Sequence, residues 1–564
     1  MAHKSAPKTQ ARGFVSLLIA SLTALVPLVA HAQTKTTSQS YGPLAARRLQ
    51  IAPAGNVNTP LFLPAVTYGT GGTEATFVTV ADVNSDGKPD LLVANTYYSN
   101  TIGVLLGNGD GTFQTAVTYP SGGGFPATIV PVDLNGDRKI DLVVANQSTC
   151  YTCSGNGVVA VLMGNGDGSF QPAVTYDSGG LGFANNGLGP AEVAVSDLNG
   201  DGKLDIVVTN CAASSASACG DGDGFIGVLL GNGDGTFQSA LSYDSGVSHP
   251  GTALALADLN GDGNPDLILA APPSSVAVLL GRGEGTFRAP VFYGSGGVNV
   301  QEIVAADLKG NGKLDLAVAG CTALDCFTSG GIAGVLLGNG DGTFQKAVAY
   351  DTGGRLADGL VVADVNGDGK LDVVAANVLD FSVGVLLGNG DGTVQPALTY
   401  PSGGNLTYSV AAHDVNGDGK PDLLVSSCAV GSFCGGTDGV VGVLLNNTQF
   451  CTTPPVITLS TTPTSLWPPN GEMVPVTVSG RITDSGCSVT SASYAVIDEY
   501  GEIQPSGPVT LSAAAYSFTV LLRASRLGTD LDGRLYTITV SASNNAGKTE
   551  SQAGAVIVPH HRRY

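Results

Sequence analysis

The chain has 564 residues, too many for one ordinary hydrophobic core, so more than one domain or a repeat array is expected. Only 13% of residues are charged, with 46 acids against 25 bases, and glycine is unusually frequent at 80 residues. A content of 43% hydrophobic residues does not suit disorder, and the acidity excludes nucleic acid as a partner. The composition therefore predicts an all-β, turn-rich protein.

The N-terminus has the features of a secretion signal over residues 1–32. Three bases precede an apolar run (14–30), and an A-H-A sequence (30–32) provides a small-x-small cleavage site. The alternative is an uncleaved membrane anchor, but the apolar run is short for a spanning helix. We expect a secreted or cell-surface protein with a linker at 33–57 and no membrane insertion after cleavage. Cleavage removes three bases and no acid, which changes the formal charge from −21 to −24.

An acidic pattern then occurs seven times, and its complete form is D-x-N-x-D-G-x-x-D. The copies begin at Asp82, Asp133, Asp197, Asp258, Asp307, Asp364 and Asp414. Successive copies start 49 to 64 residues apart (307 − 258 and 197 − 133 are the extremes). A period of this size indicates a stacked or circular repeat.

Each repeat contains four strand-like segments, as the first one illustrates. An alternating segment (76–83) precedes the acidic loop, and two apolar segments (90–96 and 101–108) follow it. A G-N-G-D-G-T-F turn then leads into a fourth segment (113–119), because Asn-Gly and Asp-Gly accept the positive φ of hairpin turns. Four short antiparallel strands repeated seven times predict a seven-bladed β-propeller over residues 58–450.

The two ends of the repeat region predict that the propeller is closed. The last repeat ends at 441–450 without a fourth segment, whereas a spare copy of that segment (61–68) precedes the first acidic loop. We predict that the spare copy completes the seventh blade, which would hide the edges of the array. An open solenoid is the alternative, but it would not need the missing and the spare segments to match.

The acidic loops have the donors that calcium requires. Calcium takes six to eight oxygen ligands, and side chains on alternate residues of a tight loop can turn toward one ion. The first, third, fifth and ninth residues would supply side-chain oxygens, and the seventh its carbonyl. The loop is not an EF-hand, because its twelfth residue (Val93 in the first repeat) lies in an apolar strand. Solvated turns are the alternative, but uncompensated acids at this density repel one another.

Six loops are predicted to bind calcium. Their proposed ligands are Asp82, Asn84, Asp86, Lys88 and Asp90; Asp133, Asn135, Asp137, Lys139 and Asp141; Asp197, Asn199, Asp201, Lys203 and Asp205; Asp258, Asn260, Asp262, Asn264 and Asp266; Asp364, Asn366, Asp368, Lys370 and Asp372; and Asp414, Asn416, Asp418, Lys420 and Asp422. In the second loop Arg138 replaces glycine, which predicts a strained turn. In the fifth loop Lys309 and Asn311 replace an amide and an acid. We predict that this loop binds no calcium and that the Lys309 ammonium lies between Asp307 and Asp315.

The sequence D-V-N-G-D-G-K-L-D, together with G-V-L-L-G-N-G-D-G-T-F-Q, resembles the FG-GAP or VCBS repeats of bacterial secreted proteins. The calcium loops of those repeats are similar to the loops of the integrin α-subunit propeller. The resemblance covers residues 58–450 and implies a calcium-bearing propeller. It does not imply one activity, because such propellers serve adhesion, sugar binding and, in some lyases, catalysis.

Ten cysteines in a secreted chain indicate disulfides. Four local pairs fall between the second and third segments of a blade, and a fifth would tie the following linker to the C-terminal domain. The expected pairs are Cys150 with Cys153, Cys211 with Cys219, Cys321 with Cys326, Cys428 with Cys434, and Cys451 with Cys487. A redox motif is the alternative for the first pair, but no βαβ pattern surrounds it. Zinc-finger spacing is also missing.

Strand order predicts two different faces of the propeller. The first and third connections of an antiparallel blade share one face, here called the calcium face. The second connection and the link to the next blade share the other, here called the stapled face, which varies between blades as a recognition surface does. Six aromatic residues are expected there, although ordinary loop packing is the alternative for each: Tyr97, Tyr98, Tyr151, Phe327, Phe381 and Phe433.

Residues 451–559 begin with a proline-rich stretch and continue as short alternating segments, which predicts an immunoglobulin-like β-sandwich before a tail at 560–564.

No nucleophile elbow, metalloprotease motif or convincing triad is found. We expect a secreted calcium-binding module for binding or adhesion to an extracellular polysaccharide or surface protein. A calcium-dependent polysaccharide lyase or another carbohydrate-active enzyme on the same scaffold is the alternative, and a basic–aromatic cluster at the central channel would favour it. A purely structural surface protein is the third possibility.

Overall fold

The computed structural model describes residues 60–148, 156–181, 192–210, 223–248, 253–429, 438–448, 453–484, 488–512, 514–544 and 547–560. Apart from one 3-10 helix (Val378–Asp380), the regular elements of these residues are β-strands, which confirms the all-β fold. None of the helical segments in the described ranges has the length and apolar character to cross a membrane. The predicted signal peptide and linker lie outside the described residues. The chain divides into two compact units, Met1–Val365 with Lys370–Asn447 and Thr448–Tyr564 with Asn366–Gly369.

The first unit contains seven four-stranded antiparallel sheets, here called blades. The inner strands of blades one to seven are β2 (Ala75–Ala81), β6 (Gly124–Val132), β10 (Val193–Ser196), β14 (Leu254–Ala257), β18 (Val298–Ala306), β22 (Ala357–Ala363) and β26 (Asn405–His413). The second strands are β3 (Asp90–Asn95), β7 (Asp141–Ser148), β11 (Asp205–Asn210), β15 (Asp266–Ala271), β19 (Asp315–Cys321), β23 (Asp372–Asn377) and β27 (Asp422–Cys428).

The third strands are β4 (Thr101–Leu105), β8 (Asn156–Leu162), β12 (Asp223–Leu229), β16 (Ser275–Leu279), β20 (Gly330–Leu336), β24 (Ser382–Leu386) and β28 (Asp438–Leu444). The outer strands are β5 (Val117–Pro120), β9 (Val174–Leu181), β13 (Leu241–Ser248), β17 (Val291–Gly294), β21 (Val348–Arg355), β25 (Leu398–Pro401) and, in the seventh blade, β1 (Val66–Thr73).

The blades form a closed ring. The inner strands contact one another in a cycle from β2 through β6, β10, β14, β18, β22 and β26 back to β2. Seven hydrophobic clusters lie between neighbouring blades, and the last joins Leu424 and Val441 of the seventh blade to Leu91 and Val93 of the first. Because both faces of a blade are covered, second strands such as β3 are buried along their whole length instead of alternating.

The spare N-terminal copy closes this ring as the sequence predicts. β1 pairs with β28, with Val66 opposite Val443. Phe62 forms a bridge with Asn446, as Phe113 does with Gly107 in the first blade. The seventh blade is therefore completed by strands from the two ends of the repeat region.

The outer strands begin later than the sequence predicts. In the first blade the strand begins at Val117 instead of Phe113. Phe113 bridges back to Gly107, and its ring makes an edge-to-face contact with Tyr68 of the neighbouring blade, with ring centroids 5.5 Å apart. Equivalent pairs recur between other blades, including Phe62 with Tyr400. The aromatic residue therefore packs between blades and does not extend the strand.

The second unit consists of two sheets over one hydrophobic core. One sheet contains β29 (Val456–Thr462), β30 (Met473–Thr483) and β33 (Ala515–Arg523), and the other contains β31 (Val489–Asp498), β32 (Ser506–Pro508), β34 (Arg534–Asn544) and β35 (Thr549–Val558). Arg534 is 1% exposed, and its guanidinium lies 2.5 Å from the buried Asp498 carboxylate and 2.9 Å from Glu502. It also lies over the rings of Tyr500 and Tyr536. The immunoglobulin-like assignment itself stays a prediction.

Candidate calcium loops and the stapled face

Each acidic loop joins the inner strand of a blade to its second strand. In the first loop, Asp82 accepts the backbone N–H groups of Asp86 and Gly87 at 3.2 and 2.8 Å. Asn84 Oδ1 accepts the N–H of Asp86 at 2.9 Å, and Asp86 Oδ1 accepts that of Lys88 at 3.0 Å. These Asx turns draw the oxygen-bearing side chains of the first, third and fifth residues toward one tight bend.

The ninth carboxylate anchors the loop to the blade. Asp90 is fully buried; its Oδ2 accepts the N–H of Val83 at 3.0 Å, and its Oδ1 accepts that of Gly107 at 2.7 Å. Equivalent bonds to a loop residue and to the second residue after the third strand recur in the other blades. Burial raises the pKa of the Asp90 carboxyl, the two backbone bonds lower it, and the charges of the first and fifth loop residues raise it.

The donor types in the loops fit calcium, because carboxylate, amide and carbonyl oxygens are the ligands of hard cations. The fifth-position carboxylates of four loops face the seventh-position lysine, with N–O distances of 3.1 to 3.6 Å. Within the described ranges, no three Asp, Glu, His or Cys side chains gather closely enough to hold a metal ion. The donors are therefore suitable in type and order, and calcium binding would require a loop to contract around the ion.

Two loops have a side chain at a bend where the other loops have glycine. Arg138 has a φ of 67°, and its N–H still donates to Asp133 at 2.8 Å, so the strained turn predicted for the second loop is present. Ser85, the fourth residue of the first loop, has a φ of 58°, whereas Gly136 occupies that position in the second loop with a φ of 75°. Sequence reasoning missed this second bend, although glycine occupies the fourth position in six of seven loops.

The fifth loop keeps the shape of the others with different donors. Asp307 accepts the N–H of Asn311 at 2.9 Å, and Asp315 accepts the backbone N–H of Lys309 at 3.1 Å. The prediction that the Lys309 ammonium lies between the two aspartates is wrong. Among the ion pairs of the described residues it has none. Its charge acts on Asp391 in the turn of the next blade, where hydrogen bonds from Thr393 lower the pKa of the carboxyl and the Lys309 charge adds to that effect.

The glycine-rich turns contact the acidic loops of the preceding blade. Gly111 N–H donates to the carbonyl oxygen of Val415 at 3.1 Å, and equivalent bonds occur at the turns of the second, fourth and fifth blades. The seventh blade has no such turn, and the side-chain amide of Asn446 donates instead to the carbonyl of Val365 at 2.8 Å. The acidic loops and the turns thus share one face, as strand order requires.

On the stapled face of the first blade, Tyr97 and Tyr98 lie between β3 and β4. Their rings make an edge-to-face contact with centroids 4.6 Å apart, and Tyr98 is 62% exposed. In the same connection, Ser99 Oγ accepts the N–H of Thr73, which precedes the inner strand of the blade, at 2.6 Å. The second connection and the blade link therefore meet on one face.

Arg355 connects two other predicted face residues, Phe327 and Phe381. Its guanidinium pairs with Asp380 at 2.8 Å and donates to the carbonyl oxygens of Phe327 and Leu379 at 3.5 and 3.2 Å. Phe327 is half-buried, and Phe381, which follows Asp380, is 38% exposed with a φ of 54°. The structure thus brings these two aromatic residues to one surface of the fifth and sixth blades, apart from the tyrosine pair of the first.

One predicted staple is present: Cys321 and Cys326 form a disulfide in the connection between β19 and β20. Cys428 is also disulfide-bonded. The other cysteines predicted to pair, and two of the aromatic face residues, lie outside the described residues; they are Cys150, Cys153, Cys211, Cys219, Cys434, Cys451, Cys487, Tyr151 and Phe433. Those predictions stay untested.

Sequence reasoning missed a group of acids on the inner strands. Glu302 lies in β18, Asp358 in β22, and Glu192 directly precedes β10. Burial raises the pKa of Glu302 to about 8 and that of Asp358 to about 7. It also raises the pKa of Glu192, and the charges of the other two acids add to that effect. One signal was available: Glu192 and Glu302 both stand five residues before the first aspartate of a loop.

A glutamate–tyrosine pair belongs to the same group, here called the axial cluster: Glu74, Glu192, Glu302, Asp358 and Tyr408. Glu74 is 4% exposed and accepts a hydrogen bond from the Tyr408 hydroxyl at 3.2 Å. Burial raises the pKa of Glu74 to about 7. Burial and the charges of Glu74 and Asp358 raise the pKa of Tyr408. The cluster is acidic, so it is not the basic–aromatic cluster that would favour a lyase.

A closed ring of four-stranded sheets, with an acidic loop after every inner strand, defines a repeat β-propeller. The family model described as "FG-GAP-like repeat" matches residues 82–144, 133–208, 215–269, 258–318, 324–375 and 377–425. These matches cover more than half of the chain, and the chain belongs to the FG-GAP-like repeat family. A comparison with curated proteins finds no match.

Two solved structures show the level of structural similarity. BBS1N, from a complex with ARL6DN, is 12% identical with a TM-score of 0.44, over 69% of this chain and 98% of that one. The BP39L lectin from Burkholderia pseudomallei is 12% identical with a TM-score of 0.44, over 63% of this chain and 93% of that one. Similarity at this level carries no argument about ligands.

Proposed function

We propose that the chain is a secreted, calcium-binding propeller that acts as an extracellular binding or adhesion module for carbohydrate or protein. The observation that carries the proposal is the difference between its two faces. The calcium face repeats one hydrogen-bonded loop in every blade, whereas the stapled face presents different side chains on different blades. Repetition suits a scaffold, and varied loops with exposed aromatic rings suit recognition.

Calcium would be held by the side chains of the first, third, fifth and ninth residues of six loops and by the carbonyl of the seventh. The seven loops contain 20 acids (six loops of three, plus two) of the 46 in the chain. Such acids repel one another at close range, and a bound dication would neutralise them and stabilise the folded loop. The role proposed for calcium is therefore structural.

Secretion is supported by the features of the first 32 residues and by the Cys321–Cys326 disulfide. Disulfides persist in oxidising environments and are rare in reducing ones.

The ligand surface is proposed to lie on the stapled face, at Tyr97 and Tyr98 of the first blade and around Arg355 of the fifth and sixth. A tyrosine pair, and phenylalanine rings beside an arginine that pairs with Asp380, offer the aromatic contacts that sugars and protein surfaces both use.

The test is a panel of polysaccharides and surface-protein extracts, with the mature protein in calcium and with retention and newly released sugar ends scored together. Retention without release would support the binding role, and release of unsaturated or reducing ends would show an enzyme. Phe381→Ala should weaken retention, whereas Phe292→Ala should not. Phe292 is a matched control because it is 51% exposed on the outer strand β17, away from the stapled loops. Equal retention by both variants would contradict the assignment of the face.

A further inference from the structure

We propose that the axial cluster is a pH-sensitive device of the ring: the inner strands pack closely while its carboxyl groups are protonated, and ionisation of those groups loosens the ring. This inference does not depend on calcium or on the ligand of the stapled face.

The position of the cluster makes ionisation an event of the whole ring. The inner strands contact one another in a closed cycle, and β18 and β22, which carry Glu302 and Asp358, are neighbours in it. The Glu74–Tyr408 hydrogen bond joins the first blade to the seventh, at the seam where the ring closes. Negative charges at these positions repel across strands whose mutual contact holds the ring closed.

The cluster has little to compensate such charges. Glu192 bonds to the Thr128 side chain, and Glu302 Oε1 accepts the N–H of Ile303 at 3.2 Å. Asp358 has neither a hydrogen bond nor an ion pair among the described residues. The charged or titratable groups that act on Glu192 are Glu302 and Asp358, and those that act on Tyr408 are Glu74 and Asp358. Over the described part of the chain, no lysine, arginine or histidine acts on a member of the cluster.

The second unit shows what compensation does to a buried acid. Asp498 is 3% exposed, but Arg534 and the backbone N–H groups of Tyr500 and Ile503 bond to its carboxylate. These bonds outweigh burial and lower the pKa of Asp498. Of the axial acids Glu74 is buried, and Glu192, Glu302 and Asp358 are partly buried. Among the described residues they have no such cation, and their pKa values move in the opposite direction.

The direction of the pH dependence follows from these shifts. The ordinary pKa is 4.5 for glutamate and 3.8 for aspartate, whereas the folded chain raises the pKa of Glu302 to about 8 and those of Glu74 and Asp358 to about 7. The contribution of these groups to stability is fully present below their ordinary pKa values. It is lost as the pH rises through their raised pKa values. Between these limits each protonated group increases the unfolding equilibrium constant about tenfold per pH unit.

The experiment measures denaturant unfolding of the mature protein from pH 5 to pH 9 in saturating calcium. Glu302→Gln and Asp358→Asn replace a protonated carboxyl with a neutral group of the same shape, and Glu284→Gln is the control, an exposed glutamate of the fourth blade. Each axial variant should reduce the pH dependence of the unfolding equilibrium constant between pH 5 and pH 7 by about tenfold per pH unit. The control should follow the unsubstituted protein. Parallel curves for all four proteins would overturn the proposal.

A second measurement counts the protons that are released when the protein unfolds. Unfolding in unbuffered solution near pH 6 should release protons from the axial carboxyls, and each axial variant should release about one fewer than the Glu284→Gln control. Equal release by variant and control would contradict the proposal. Failure of both axial variants to fold at pH 6 would also count against it, because each variant mimics the protonated group that the proposal places in the folded ring.

Discussion

The first and fifth acidic loops have the same shape and different chemistry. In both, the first aspartate accepts backbone N–H groups of the loop. The buried ninth aspartate accepts a loop N–H and the N–H of the second residue after the third strand. Among the proposed ligand positions only the third and fifth differ, with Asn84 and Asp86 in one loop and Lys309 and Asn311 in the other. The comparison shows that hydrogen bonds from backbone N–H groups to aspartate carboxylates are common to both loops. We predict that the third and fifth positions decide whether a loop can hold a cation.

Among the tests of this comparison, removal of calcium by chelation should have the largest effect on the free energy of unfolding. Metal that binds only the folded state stabilises it by about 2.7 kcal/mol per site at a hundredfold excess over Kd. Removing calcium from six loops should therefore lower the free energy of unfolding by several kcal/mol. The measurement is a denaturant titration in calcium and in EDTA, with metal removal verified by elemental analysis. The same midpoint in both conditions would contradict a structural role for calcium.

Removing the ninth carboxylate should have the next largest effect. Asp90→Ala leaves two buried N–H groups without an acceptor, at a cost of about 1–3 kcal/mol each. Asp315→Ala removes the same bonds from the fifth loop. We expect equal destabilisation of the two variants in EDTA and a larger loss for Asp90→Ala in calcium, measured by denaturant unfolding. Equal losses in calcium would mean that the first loop binds no more metal than the fifth.

The fifth loop should become a calcium site when its donors are restored. The double variant Lys309→Asn with Asn311→Asp recreates the complete pattern on a loop that already has the required hydrogen bonds. It should bind one more calcium ion than the unsubstituted protein and gain about 2.7 kcal/mol at a hundredfold excess of calcium over Kd. Lys309→Asn alone is the control, because it lacks the fifth-position acid. An unchanged calcium count in the double variant would show that further features of the loop exclude the ion.

The smallest expected effect concerns the bend of the second loop. Arg138 has a positive φ that glycine adopts at no steric cost, so Arg138→Gly should stabilise the propeller by about 1 kcal/mol. Arg138→Gln removes the positive charge but keeps a side chain at this bend, and its stability should not change. Denaturant unfolding of both variants separates backbone strain from charge. Stabilisation by the glutamine variant would show that charge is responsible.

The closed ring could be predicted from the sequence because the missing outer strand of the seventh blade and the spare segment at 61–68 are complementary. The second strands were also readable, since a strand covered on both faces is apolar along its length. The start of the outer strands could not be predicted from the sequence. Phe113 belongs to a segment that alternates like a strand, but its ring packs between blades. An alternating pattern of apolar residues indicates that one side of a segment is buried. It does not show whether the segment pairs with a neighbouring strand or packs against a neighbouring sheet.

Site prediction failed where the outcome depends on neighbouring blades. The pattern of the fifth loop alone places the Lys309 ammonium between two aspartates of that loop, whereas its charge acts on Asp391 of the next blade. The axial cluster combines residues of distant repeats, and each acid stands alone in its strand sequence. The calcium ligands and the aromatic face residues were derived from patterns within one repeat, and they stay predictions.

The most direct test of this account is the number of calcium ions bound per chain, measured by elemental analysis after equilibrium dialysis of the mature protein. Six ions are predicted, with Lys309→Asn/Asn311→Asp raising the count to seven and Asp90→Ala lowering it to five. A count of seven in the unsubstituted protein would contradict the distinction between the fifth loop and the others. A count near zero would contradict the assignment of the acidic loops as calcium sites.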